Sequence, residues 1–327
     1  MAQLLDGTDP HAIEIAASAL RAGELVAFPT ETVYGLGADA LNEPAVVQVF
    51  AVKNRPHFDP LIVHLPDKES ALPYVLHVDQ RALALMDQFW PGPLTLVLRK
   101  KPVIPDLVTA GLDSVALRVP AHPVALALLR AIERPIAAPS ANPFGYVSPT
   151  TGMHVQELLG DQIKLIIDGG PCAVGVESTV CALIDEAALI LRPGGVTVEE
   201  IEAVIGPVKI ASTSHADARS PGTLPRHYSP HVTLRLLQPG EPLPPRLDGR
   251  IGLLLFTERR GTEGYAAVEV LSADGNLVEA ATNLFAALRR LDSVELDQVL
   301  IEPVPEQGLG RAIMDRLRRA ASQETRI

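Results

Sequence analysis

Between residues 24 and 207, short β-branched runs alternate with segments of helical periodicity. This alternation limits the chain to an α/β architecture more firmly than any other of its properties. Residues 24–28, 61–65, 94–99, 115–119, 136–138, 165–167, 179–184 and 189–192 are predicted strands. Residues 44–54, 79–89, 123–132 and 198–205 are predicted helices. The helices fall too irregularly for a regular doubly wound sheet, so a mixed sheet is expected. From 211 to 230 the pattern stops: Ser, Ala, Pro and Gly dominate and no hydrophobic period survives, which marks a linker. Beyond it, 232–237, 251–256 and 298–301 read as strands and 277–291 and 311–321 as helices, a smaller α/β unit of Rossmann-like character. A chain of 327 residues is long for one core. The expected division is a first domain over 1–208, a linker over 209–230 and a second domain over 231–327.

Composition narrows the function. Hydrophobic residues make up 47% of the chain and aromatics only 4%, and no stretch approaches the roughly 18 to 20 apolar residues of a membrane helix. The first ten residues carry Asp6 and Asp9 without a basic flank and apolar run, so no secretory signal is expected and a cytoplasmic location is. Cys172 and Cys181 are too few for a disulfide framework and wrongly spaced for a zinc knuckle. A net charge of −11 argues against nucleic acid as the main partner, because that affinity comes from neutralising phosphates. It leaves room for a local pocket where a few arginines meet one small polyanion.

The run Phe28-Pro29-Thr30-Glu31-Thr32-Val33-Tyr34-Gly35-Leu36-Gly37 has the composition of a site. Pro29 ends the strand before it, and the hydroxyls and carboxylate that follow are expected in a loop at the strand's carboxyl end, where open α/β sheets bind ligands. Gly35 and Gly37 are expected to let the backbone turn or approach a ligand. Gly35 to Ala40 matches G-x-G-x-x-A on paper, yet Pro29 to Tyr34 separate it from its strand and the next helix begins only near Pro44, so it is read as no dinucleotide fingerprint. No P-loop occurs. Lys53 and Arg55 close a predicted helix, where complementing its dipole explains them without a ligand. They lead directly to Asp59 and to a strand ending in His64. Arg118 stands inside an apolar strand and requires a partner, either a buried carboxylate or a ligand's carboxylate or phosphate. Ser140, Asn142, Ser148, Ser178 and Arg192 cluster at other strand ends. Ser178 lacks a G-x-S-x-G elbow, which argues against a nucleophilic serine. With no reactive cysteine, metal cluster or carboxylate pair in view, the expected chemistry is positioning and charge stabilisation, as in phosphoryl or nucleotidyl transfer.

These motifs, in this order, resemble the YrdC/Sua5 family: Pro29 to Gly37, Lys53-Asn54-Arg55-Pro56 with Pro60 to His64, Ala116 to Pro120, Pro139-Ser140-Ala141-Asn142, Glu177 to Val180 and Arg192-Pro193-Gly194. The second domain and the segment Ser220 to Pro230 are similar to its longer Sua5 form. The resemblance implies a YrdC-like twisted mixed sheet with helices around a concave pocket, plus a Rossmann-like Sua5 domain. It also implies synthesis of threonylcarbamoyl-AMP and diphosphate from L-threonine, bicarbonate and ATP with Mg²⁺, which feeds threonylcarbamoyladenosine formation by a downstream tRNA transferase. Family threonine positions fall on Thr32, His64, Arg118, Ala138 and Ser178. ATP positions fall on Arg55, Asp59, Ser114, Ser140, Asn142, Ser148, Arg192, His227 and Tyr228, with Lys53, Arg55 and Arg118 as the catalytic cations. Asp59 departs from the family's commoner asparagine. The competing readings are a non-catalytic RNA- or tRNA-binding protein, disfavoured by the acidity of the chain, and a dinucleotide-dependent oxidoreductase. Neither stable direct nucleic-acid binding nor membrane association is expected.

Overall fold

The computed structural model describes residues 1–211, 228–244 and 249–322. Within them, the first domain is built on one 11-stranded mixed sheet. Its strands are β1 (Gln3–Asp6), β2 (Val26–Phe28), β3 (Gly35–Asp39), β4 (Ile62–His64), β5 (Leu94–Arg99) and β6 (Ser114–Arg118). Then follow β7 (Ile136–Ala137), β8 (Leu165–Asp168), β9 (Thr179–Ala182), β10 (Leu189–Arg192) and β11 (Lys209–Ile210). Their spatial order is β1-β8-β2-β3-β7-β4-β6-β5-β9-β10-β11. Parallel pairs such as β4 with β6 and β5 with β9 are interleaved with antiparallel ones such as β4 with β7 and β5 with β6. The expected mixed α/β sheet is therefore what the chain forms. β11 carries this sheet two residues past the division expected at 208.

The helices are α1 (Pro10–Arg21), α2 (Glu43–Lys53), α3 (Gln80–Phe89), α4 (Asp106–Thr109), α5 (Pro123–Ile132), α6 (Gly152–Leu159) and α7 (Val198–Ile205). Local chemistry sets their ends. Asn42 accepts from the Ala45 amide to start α2, and Asn54 ends it in the left-handed conformation, which turns the chain towards Arg55. A Thr197–Glu200 capping box opens α7.

The opening glycines behave differently from expectation. Gly35 and Gly37 lie inside β3, paired antiparallel with β2, and neither has positive φ. They permit close approach, not a turn: a Cβ on Gly37 would meet the Ile136 Cγ2 and the Phe28 ring at 2.9 Å. Lacking side chains, they also remove the hydrophobic pattern by which a strand is recognised.

The second domain carries a parallel sheet of β12 (Thr233–Leu236), β13 (Ile251–Leu255), β14 (Ala267–Val270) and β15 (Gln298–Ile301), in the order β12-β15-β13-β14, with α8 (Leu277–Asp292) and α9 (Gly310–Ala320). The two domains share a hydrophobic core. Val33, Val147 and Val176 of the first pack in one cluster with Tyr228, Leu284, Phe285 and Met314. Polar ties reinforce it: the Thr282 hydroxyl donates to the Ala173 carbonyl at 2.8 Å, and the Tyr146 hydroxyl to Asp292 at 2.6 Å. No helix among the described residues is long and apolar enough to cross a membrane.

Candidate active site

Side chains one residue apart on a strand point to opposite faces, so Ile62 and His64 share one face of β4. Register brings neighbours onto that face. His64 lies opposite Arg118 of β6, and the Ala138 amide donates to the Ile62 carbonyl at 2.9 Å. Thr32, Arg55, His64, Arg118, Ala138, Ser140, Ser178, Arg192 and Tyr228 all line one pocket there, with Thr30, Gly35, Ile62 and Glu177. Thr30 and Thr32 lie in the loop that leaves the carboxyl end of β2, as expected, and His64, Arg118 and Arg192 close β4, β6 and β10, but Gly35 opens β3 and Ser178 precedes β9, so the pocket draws on both ends of strands. In a mixed sheet, neighbouring strands run both ways, so their carboxyl ends share no common edge.

Arg118 has the carboxylate partner that its burial demands. Its Nη2 is 2.7 Å from Glu31 Oε1, and both side chains are nearly buried. The pair is misaligned for a hydrogen bond, and that nitrogen and that oxygen have no hydrogen-bond partner among the described residues. Arg118 thus forms a buried ion pair while lining the pocket. The sequence places Glu31 in the site-like run beside Thr32 without giving it a role; the demand of Arg118 for an anion is the signal that points to it.

His64 is only 3% exposed, and its Nδ1 is 3.2 Å from the Ile62 carbonyl. Burial first, and Arg118 second, hold its pKa down to about 3, so the ring is neutral. The Thr30 hydroxyl donates to the Val33 carbonyl at 2.7 Å and lies 2.8 Å from the Thr32 hydroxyl. A hydroxyl has one hydrogen, so Thr32 donates to Thr30 and retains only acceptor capacity for a ligand.

Ser178 and Arg192 are tied together. The Arg192 Nη2 donates to the Ser178 carbonyl at 2.9 Å and to its hydroxyl at 3.2 Å, while Thr95 lies 2.8 Å from that hydroxyl. Burial, together with neighbouring cations, draws Arg55 and Arg192 down from the usual guanidinium range. Glu177 accepts from the Ser148 hydroxyl at 2.6 Å and from Arg316 at 3.0 Å. Burial pushes its carboxyl up, but Arg316, Arg192 and Ser148 outweigh that and hold it below the usual range.

Several expected residues are not among those lining the pocket. Lys53 is 1% exposed; its ammonium donates to the carbonyls of Ser140, at 2.6 Å, and of Asn142. Burial and the adjacent Arg55 pull its pKa well below the usual ammonium value. Asp59 is turned onto Arg55, 2.8 Å from its Nη2, where an asparagine would offer no charge. The Asn142 amide donates to the Pro143 and Tyr146 carbonyls, holding the loop that follows Ser140. Ser148 orients Glu177. Ser114 opens β6, about 13 Å along the strand from Arg118 at 3.3 Å per residue. His227 lies outside the described residues. Cys172 and Cys181 are buried, with burial pushing both thiols up, and neither lines the pocket.

Fold and pocket together define a two-domain α/β protein that gathers buried guanidinium groups, a neutral imidazole and small hydroxyls on one face of a mixed sheet. Two family models match it: Sua5_yciO_yrdC, described as telomere recombination, over residues 18–194, and Sua5_C, described as threonylcarbamoyl-AMP synthase, C-terminal domain, over residues 196–322. The chain belongs to the Sua5/YrdC family. The threonylcarbamoyl-AMP synthase of Pyrococcus abyssi is 45% identical over 318 residues, covering 94% of each chain. That of Bacillus subtilis is 43% identical over 331 residues, covering 97% of this chain and 94% of that protein. The crystal structure of P. abyssi Sua5 complexed with L-threonine matches with a TM-score of 0.90 at 40% identity, covering 98% of this chain and 97% of that one.

Proposed function

We propose that this protein is an L-threonylcarbamoyladenylate synthase, a nucleotidyltransferase that makes threonylcarbamoyl-AMP and diphosphate from L-threonine, bicarbonate and ATP. The observation that carries the reading is the placement of Arg118, His64, Thr32 and Ser178 in the same pocket as Arg55, Arg192, Ser140 and Tyr228. The first group suits an amino acid. Arg118 meets the carboxylate, and Thr32, restricted to accepting, takes a hydrogen from the amine or hydroxyl. Arg118 also disfavours an ammonium nearby, so the amine enters neutral and nucleophilic. The second group suits a nucleotide, with Arg55 and Arg192 offsetting charge on its phosphates.

The amine and bicarbonate give carbamate and water, a balance that leaves no proton for the protein to accept. This suits a pocket whose imidazole burial keeps neutral. A carbamate oxygen then attacks the α-phosphorus, the bond to the bridging oxygen breaks, and diphosphate leaves with the electron pair. No enzyme nucleophile takes part. Among the described residues no three metal-ligating side chains gather, and the pocket carboxylate Glu177 is engaged by Ser148 and Arg316. Mg²⁺ is accordingly assigned to the nucleotide, entering with its phosphates. Lys53 is assigned to holding the Ser140–Asn142 loop, and Asp59 to orienting Arg55. Residues 1–208 carry the reaction, with Tyr228 added to the pocket from beyond them. The product serves tRNA threonylcarbamoyladenosine formation in the cytoplasm through a separate transferase. The guanidinium groups of Arg55, Arg118 and Arg192 are buried at the pocket, which suits a small anionic substrate.

The test is incubation with ATP, Mg²⁺, bicarbonate and threonine followed by mass spectrometry. The adenylate is expected with threonine and should be greatly reduced with serine. A folded protein that consumes ATP without forming the adenylate, or forms none at all, refutes the reading.

A further inference from the structure

Arg316 belongs to α9 of the second domain, yet its side chain is fully buried against the first. Its Nε donates to Glu177 Oε2 at 3.0 Å, and its Nη1 donates to the Pro193 carbonyl at 2.7 Å and to Asp315 at 2.8 Å. Glu177 precedes Ser178, and Pro193 follows Arg192. One guanidinium therefore clamps the two segments that carry the Ser178–Arg192 pair. Those segments pack so closely that a Cβ on Gly194 would lie 2.3 Å from the Glu177 carbonyl oxygen. Arg316 also sits over the Tyr228 ring, 5.3 Å from its centroid, and Phe285 stacks on that ring at 5.6 Å. Two second-domain groups thus bracket the Tyr228 ring. The Arg316 Nη2 is buried without a hydrogen-bond partner among the described residues, a cost that a residue serving only to join domains has no reason to bear.

We propose that Arg316 is a positioning residue of the pocket: by clamping Glu177 and Pro193 and seating Tyr228, it makes the nucleotide end of the site competent only while the second domain is docked. This rests on the assignment of Arg192 and Tyr228 to ATP. The second domain thereby acts as a structural part of the site, although its own sheet contributes no pocket-lining residue. Threonine's end is built mainly on β4, β6 and the loop after β2, and of its residues only Ser178 adjoins the clamped Glu177, so it should depend on Arg316 far less than the nucleotide end does.

The experiment measures ATP–Mg²⁺ and L-threonine dissociation constants separately by calorimetry for the full-length wild type, Arg316→Met, Arg316→Lys and Thr282→Val. Thr282→Val removes a domain-joining hydrogen bond, to the Ala173 carbonyl, that involves neither Glu177 nor Pro193. Arg316→Met should weaken ATP binding about tenfold or more, as loss of an orienting partner does, and weaken threonine binding several-fold less, since only Ser178 of that end adjoins the clamp. Arg316→Lys should fall between, since it keeps the charge and loses the fork. Thr282→Val should bind both ligands as the wild type does. A folded Arg316→Met with wild-type ATP affinity overturns the proposal, as does an equal loss in Thr282→Val, which would make docking alone responsible. Should Arg316→Met fail to fold, wild-type ATP affinity in Arg316→Lys overturns it and a selective loss supports it. A wild type that binds neither ligand refutes the proposed function itself, a separate result.

Discussion

Replacing His64 by glutamine should abolish a pH dependence of stability that the wild-type chain carries between pH 7 and 5. The ring is 3% exposed and lies opposite Arg118 in the register, and its pKa is held at about 3 against an ordinary 6.5. Burial is the main cause, because a charged imidazolium would lose its hydration. Between those two values the unfolded chain binds a proton that the folded chain refuses. Stability from this residue is therefore complete above the unfolded pKa and lost as pH falls. At pH 5 the unfolded state is favoured by about 1.5 pH units, or about 2 kcal/mol, and by about 5 kcal/mol near pH 3. Trp90, the chain's one tryptophan, is buried in the first domain and gives a local probe. Urea unfolding followed by its fluorescence, at pH 7 and pH 5, measures the loss in each protein. His122 and His154 also have pKa values lowered by burial, but they are present in both proteins and cancel. The wild type should lose about 2 kcal/mol more than His64→Gln. Equal losses would show that His64 accepts a proton in the folded protein and that the pocket is less dry than its geometry implies.

Arg118→Met should lose threonine-dependent product and cost about 3 kcal/mol, since Glu31 is left buried without its cation. Adding Glu31→Gln should recover most of the stability in urea titrations but not the product; recovered product would make Arg118 only a structural partner. Lys53→Met removes two bonds to backbone carbonyls and should destabilise the chain by about 2 kcal/mol with a small effect on kcat. A fall of about a hundredfold or more in kcat at wild-type stability would return Lys53 to the chemistry.

The alternation of strands and helices shows the α/β class because burying one face of a sheet requires helices at roughly regular intervals. β3 escaped notice because its two glycines erase the pattern. Position in the sequence also grouped Lys53 with Arg55, two residues apart and both cationic. The structure separates them: the left-handed turn at Asn54 sends Arg55 into the pocket, while Lys53 stays under the Ser140 loop. Arg118 announced its need for an anion, since an arginine in an apolar strand is costly alone. Which carboxylate answers depends on where the loop after β2 lies, and no local pattern states it.

The sequence alone determined the chemistry on offer: buried arginines, small hydroxyls and no reactive thiol or metal cluster in the motifs, hence a site that works by placing charge. Tertiary structure decided which groups meet. Glu177 and Arg316 are 139 residues apart, one in each domain, and only docking makes them a pair. Local sequence sets the geometry of strands and turns through short-range sterics and hydrogen bonds. A buried charge takes its partner from wherever the fold brings one within about 3 Å, and that choice is global.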